Sequence, residues 1–194
     1  MVDLFQLTAK FQALNNRETD VASFHTHVPW VAPEAYLNII YRPARPEVLA
    51  EVSARIKMPP PLRDLLARYN GAILLSGSLS LFGAVPQGQL LGRSEPSLLP
   101  PYNIESENRS WPPPDRNRFL KVGGYGFDGS GVCIDREDLK VVVFRRKERE
   151  PHCSWQTIDE WLDSEIRRLS VLFDVSGRPL VDESKTLPSA DAQA

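Results

Sequence analysis

The 194-residue chain predicts an α+β fold, a mostly antiparallel sheet flanked by helices. Three observations carry this: a helix, proline, helix pattern over 46–70, three short strands joined by turns between 119 and 145, and an amphipathic helix over 157–173. With 42% hydrophobic and 25% charged residues, the chain has the make-up of a globular domain that buries a core without disulfide or metal. Its 17 prolines, nearly twice the usual share of ~5%, assign much of it to connections, because helix interiors and central strands exclude a residue without an N–H.

Taken in order, Leu4, Leu7, Phe11 and Leu14 have the spacing of one short amphipathic helix, followed by a polar run to Asp20. Val28-Pro29-Trp30 and Tyr36 to Tyr41 are candidates for an edge strand. Pro46 suits a first helical turn, and Val48, Leu49, Val52 and Ile56 continue it. Met58-Pro59-Pro60-Pro61 ends that helix, and Leu62, Leu65, Leu66 and Tyr69 begin a second, closed at Asn70-Gly71 by a left-handed residue. Ala72–Leu75 and Leu79–Phe82 then form a strand hairpin, and 83–94 is turn-rich with one further weak strand candidate. Six prolines fall between Pro96 and Pro114, which predicts a long irregular excursion. Phe119–Val122, Val132–Asp135 and Val141–Arg145 follow as a meander of three strands. Thr157-Ile158-Asp159-Glu160 is a capping box, and Ile158, Trp161, Leu162, Glu165, Ile166, Leu169, Leu172 and Phe173 continue the closing helix.

This order divides the chain into an N-terminal extension (1–45, a short helix and a candidate edge strand), an α+β domain (46–175) with a proline-rich loop at 96–114, and a flexible tail (176–194). A formal charge of −2 argues against a dedicated nucleic-acid binder. Cys133 and Cys153 read as free thiols, and the N-terminus has neither the basic nor the apolar segment of a leader, so a cytoplasmic protein is expected. The longest nearly uncharged stretch, 70–89, is broken by glycines and Pro86, so no membrane span is expected.

Few patterns suggest chemistry. Gly124-Tyr125-Gly126-Phe127-Asp128-Gly129 matches a dinucleotide-binding spacing, but a strand follows where the pyrophosphate would need a helix N-terminus, so a glycine-rich turn is favoured. Ser130 lacks the first glycine of a nucleophile elbow. His25, His27, His152 and the two cysteines have no zinc-site spacing. Asp135, Glu137 and Asp138 share a predicted turn, where they could do acid/base work or simply face water. Arg145 to Arg149 is the one basic run, and the acidic Glu148 and Glu150 interrupt and follow it, so an exposed strand end is favoured. Trp111, inside the proline-rich excursion, is either a plug over the core or a binding anchor.

The stretch Met58-Pro59-Pro60-Pro61-Leu62-Arg63-Asp64-Leu65-Leu66-Ala67-Arg68-Tyr69-Asn70-Gly71-Ala72 resembles the SMI/KNR-type family of the SUKH superfamily. The resemblance continues through Ser78 to Gly83, the glycine-rich strand pair Leu120 to Gly124 with Gly129 to Asp135, and the helix opening at Ser154 to Leu162, covering about residues 46–173. It implies a binding scaffold without catalytic residues, cofactor or metal. Members include bacterial immunity proteins that neutralise toxin domains, often nucleases, and a fungal cell-wall assembly regulator. The expectation is therefore a non-enzymatic protein-binding module with a protein partner, a toxin domain for the immunity reading, and no direct contact with nucleic acid or membrane. Trp111, Asp128, Asp135, Glu137 and Asp138 are the candidate contacts, the acidic four because charge complementarity would favour a basic nuclease. A regulatory scaffold using 1–45 and the tail is the alternative, and an enzyme using Asp135, Glu137 and Asp138 the third.

Overall fold

Among the described residues nine strands form one sheet in which each pairs antiparallel with its neighbours in sequence. They are β1 (Asn16–Glu18), β2 (Ala22–Thr26), β3 (Tyr36–Tyr41), β4 (Ala72–Leu74), β5 (Leu79–Leu81), β6 (Phe119–Tyr125), β7 (Gly131–Asp135), β8 (Val141–Phe144) and β9 (Cys153–Trp155). Five α-helices accompany them among the described residues: α1 (Leu4–Leu7), α2 (Pro46–Ile56), α3 (Pro60–Leu66), α4 (Ile104–Ser110) and α5 (Ile158–Ser170). The structure, a computed structural model, describes residues 2–14, 16–26, 36–86, 100–110, 113–146 and 148–188. The α+β fold with an antiparallel sheet flanked by helices is thus the observed one. Among the described residues no helix is long and apolar enough to cross a membrane.

The largest core gathers most of the elements. Leu4 and Phe11, Val48 and Val52, Leu62, Leu65 and Leu66, and Trp161, Leu162 and Ile166 converge on Leu120, Val122, Val132, Ile134, Val141 and Val143. The strand residues alternate with Cys133, Val142 and Phe144, which form a second cluster with Phe119 on the other face. The longer periodic segments lie where expected. Pro46 stands at the start of α2, Thr157 Oγ1 accepts the Glu160 N–H at the start of α5, and Gly71 takes φ +97° after α3. The Glu160 carboxylate reaches back to Gln156 N (2.8 Å), one residue before the cap.

The differences from the sequence expectation concern short elements. Leu4 to Leu14 do not form one helix, because α1 ends at Leu7 and a separate 3-10 turn spans Ala9–Phe11. Between them Thr8 returns its hydroxyl to Leu4 O (2.8 Å), an alternative to continuing the ladder. The polar residues before Asp20 include β1, a charged edge strand exposed at all three positions. β3 is an interior strand, paired with β2 on one side and β4 on the other, so the first 45 residues supply three strands to the sheet. Val28-Pro29-Trp30 lies outside the described residues.

The proline-rich excursion contains α4. Its prolines at 100–101 and 112–114 bracket a proline-free run, and Asn103 caps the helix by accepting Glu105 N (2.9 Å) and Ser106 N (3.4 Å). Proline density over the whole span hides a seven-residue helix within it. β9 precedes α5 where the sequence shows only an approach to the capping box. The expected flexible tail folds back as far as residue 188. Leu180 N donates to Leu172 O (2.8 Å), a 3-10 turn spans Glu183–Thr186, and Thr186 is buried.

Two asparagine amides complete the sheet where strands stop short. Asn108 of α4 donates to Lys121 O (2.7 Å) and accepts from Lys121 N (2.9 Å), doing for β6 what a strand would do. Asn70 treats Ala84 in the same way, at 3.0 and 2.7 Å. Each amide satisfies both backbone groups of one residue, which burial would otherwise leave unpaired.

Candidate interaction surface

The acidic positions singled out by sequence fall into two separate groups. Asp128 sits in the β6–β7 turn, whereas Asp135, Glu137 and Asp138 lie at the other end of β7. Asp135 is 3% exposed, and its Oδ2 receives both Nε (2.8 Å) and Nη2 (2.7 Å) of Arg118 while Oδ1 accepts Glu137 N. Glu137 is 3.5 Å from the same guanidinium. Asp138 accepts Lys140 N and lies 3.1 Å from Lys140 Nζ, and those bonds hold its carboxyl below the ordinary range. Arg118 and Lys140 offset two of the three negative charges of this turn. Asp128 accepts both the N–H and the hydroxyl of the buried Ser130 at 2.8 Å, so the Ser130 proton is committed to shaping the turn. Trp111 lies outside the described residues.

The histidines and cysteines are likewise dispersed. Val142 pairs with Cys133 and Val143 with Cys153, so the two thiols point to opposite faces of the sheet. Both are buried, and burial raises each thiol to about 12. His27 lies outside the described residues, and among those described no cluster of histidine, cysteine, aspartate and glutamate could hold a metal. His25 is buried beside Asn38, Nδ1 to Nδ2 3.1 Å, and burial lowers its pKa from the ordinary 6.5. Folding therefore prefers neutral His25. The unfolded chain takes up the proton first as pH falls, so this residue's contribution to stability is lost below about pH 6.5. Melting temperature measured from pH 7.5 to 5 is expected to fall more steeply for the native chain than for His25→Gln, and equal slopes would remove His25 from the account.

What the structure does bring together is a groove over the tips of two hairpins. Gly77 of the β4–β5 turn and Gly126 of the β6–β7 turn lie so close that a Cβ on Gly126 would stand 2.4 Å from Gly77 O. Two clefts share these two glycines. On one side the cleft is polar and aromatic. Tyr102, 49% exposed, stacks edge-on against Phe82 at 6.0 Å, and the buried Lys121 ammonium lies 5.2 Å from the Phe82 ring and 3.4 Å from Glu107. On the other side a cleft of about 190 Å³ is walled by Phe127, Leu172, Phe173, Pro179 and Val181. Phe127, at the turn apex, is 48% exposed. A wider depression, about 680 Å³, runs between α2 and α3, lined by small residues such as Ala50, Ala54 and Ala67.

The far wall of the Phe127 cleft is the folded-back C-terminal strap, and a buried ion pair holds it. Glu165, 2% exposed in the middle of α5, accepts Tyr125 Oη (2.8 Å) and both Nε and Nη2 of Arg168 (2.9 and 2.6 Å). Arg168 Nη2 also donates to Thr186 O (2.7 Å). Burial, with the Glu165 carboxylate beside it, pushes the Tyr125 phenol well above its ordinary range. The helical spacing at 158–173 points Glu165 inward, but its partners are 40 residues away in β6 and 3 residues along α5. Tyr102, Lys121, Phe127 and Val181 carry no sequence signal as a group, since they come from four separate segments. No family model, curated protein or solved structure matches the chain.

Proposed function

We propose that this chain is a non-enzymatic protein-binding module, an immunity protein that acts in the cytoplasm by covering the working surface of a cognate toxin domain. The observation that carries the reading is the groove over Gly77 and Gly126, flanked by two half-exposed aromatic residues, Tyr102 and Phe127. Exposed aromatics beside an apolar cleft are the usual anchors of protein interfaces. The resemblance of 46–173 to the SMI/KNR-type family supports the same reading. Commitment of Asp135 and Asp138 to Arg118 and Lys140 speaks against an acid/base site there. The first 45 residues contribute Leu4, Phe11, Leu37 and Ile40 to the core, which favours a structural role for them over the additional contacts of the scaffold alternative.

The test is co-expression with a toxin domain encoded beside this chain's gene. Cell survival together with a stable complex is expected, and Tyr102→Ala with Phe127→Ala is expected to weaken that complex at least tenfold. Absence of both protection and complex would overturn the immunity reading.

A further inference from the structure

α2 presents three different faces. Val48, Leu49 and Val52 are buried in the core. Glu51 and Arg55, one turn apart, pair with each other, and Arg55 also holds Glu105 of α4 at 2.7 Å. The third face carries Ala50, Ala54 and Lys57 and lines the groove of about 680 Å³ beside α3. Ala50 and Ala54 are exposed, as is Ala67 on the α3 side, at positions where an exposed helix ordinarily carries long polar side chains. Small side chains on both walls admit a close backbone approach. The charge on the lining is of one sign: Lys57 and Arg63 line the groove, and among the described residues no carboxylate does. The Lys57 side chain has no hydrogen bond or ion pair among the described residues. Arg63 stands 3.9 Å from Asp64, its exposed neighbour in the chain, too far for a hydrogen bond, so its guanidinium donors are open to an incoming carboxylate.

We propose that the groove between α2 and α3 docks an acidic amphipathic helix of a partner protein, which lays its apolar face against Ala50, Ala54 and Ala67 and sets carboxylates against Lys57 and Arg63. The 11 residues of α2 run roughly 16 Å, so about three turns of the incoming helix find a wall to pack on. A helix brings its backbone already hydrogen-bonded, whereas an extended segment finds no strand edge between two helices whose own N–H and C=O groups are used internally. The apolar contact supplies affinity, and the two cations select an acidic partner and fix its register. Of this chain's own helices, α5 is long enough but turns its apolar residues into the core and exposes Glu160 and Arg167, so a second copy does not supply the anchors. The groove shares no lining residue with the clefts over Gly77 and Gly126, so this site is separate from the one proposed above and does not depend on it.

The experiment selects displayed helix-forming peptides on the full chain, from a library with one face varied over apolar residues and the remaining positions over lysine, glutamate and glutamine. Enriched peptides are expected to be rich in glutamate, with apolar residues at i, i+3 or i+4, and i+7. Their Kd should rise about tenfold or more on Ala54→Trp, which fills the groove, and likewise on Lys57→Glu/Arg63→Glu, which reverses its charge. All three positions are exposed, so both variants are expected to keep their fold, checked by circular dichroism. Enrichment of lysine-rich or uncharged peptides, equal binding to either variant, or no enrichment at all would overturn the proposal. So would a dimer of the chain in sedimentation that Ala54→Trp dissolves, which would give the groove to a second copy. Peptide selection needs no toxin, so its failure is distinguishable from failure of the co-expression test.

Discussion

Replacing Arg168 with alanine is expected to cost about 3–5 kcal/mol of stability at neutral pH, the range for removing one partner of a buried ion pair. The guanidinium satisfies both oxygens of Glu165, which is 2% exposed, and the variant leaves that carboxylate buried with the Tyr125 hydroxyl as its remaining strong donor. Tyr125 cannot neutralise a charge. Urea melts of Arg168→Ala against the native chain at pH 7.5 check this. The same variant frees Thr186 O and Lys185 O from their donor, so limited proteolysis is expected to cut within 177–188 before the native chain is touched. A deficit below 1 kcal/mol would show that the pair is not the strap's anchor.

Deleting residues 1–45 is expected to abolish folding outright. The deletion removes Leu4, Phe11, Leu14, Leu37 and Ile40, all buried in the largest core, together with β1 to β3. At ~1.5–3 kcal/mol for each buried large side chain, five residues amount to about 7–15 kcal/mol, as much as a domain's whole stability of ~5–15 kcal/mol. It also bares the edge of β4, whose pairing with β3 is lost. The fragment 46–194 should therefore be insoluble, or lack a cooperative thermal transition by circular dichroism. A sharp transition from that fragment would mean that the first 45 residues are an accessory to a self-sufficient unit.

The second prediction marks a limit of reading by local pattern. Asn16-Arg17-Glu18 has neither alternation nor apolar content, and β1 exists because β2 offers it a ladder. Cys153-Ser154-Trp155 is similar: three residues cannot display a period, and Val141 to Val143 of β8 make them a strand. α4 is short enough that the prolines around it dominate any window wide enough to average over, although Asn103 followed by Glu105 and Glu107 is a good helix opening in retrospect. The same limit governs the candidate contacts. Asp135, Glu137 and Asp138 form an acidic cluster in sequence, but Arg118 reaches across the β6–β7 pair and Lys140 turns back, so the cluster is largely neutralised. Tyr102, Phe127 and Val181 are unremarkable singly and become a surface because two hairpin tips and a returning strap meet.

The amino-acid sequence by itself determined the α+β class, the placement of α2, α3 and α5, and the strands from β4 to β8. Those elements declare themselves through local physics: helical spacing of apolar residues, the Thr157 cap, the left-handed turn at Gly71 and the glycine-rich turn between β6 and β7. The tertiary structure alone decided that the N-terminal residues complete the sheet, that the C-terminal strap is pinned by Arg168, and that Arg118 and Lys140 engage the carboxylates of 135–138. These depend on partners tens of residues away, and a hydrogen bond, a buried charge or a cleft wall is a property of the pair that makes it rather than of either stretch of chain.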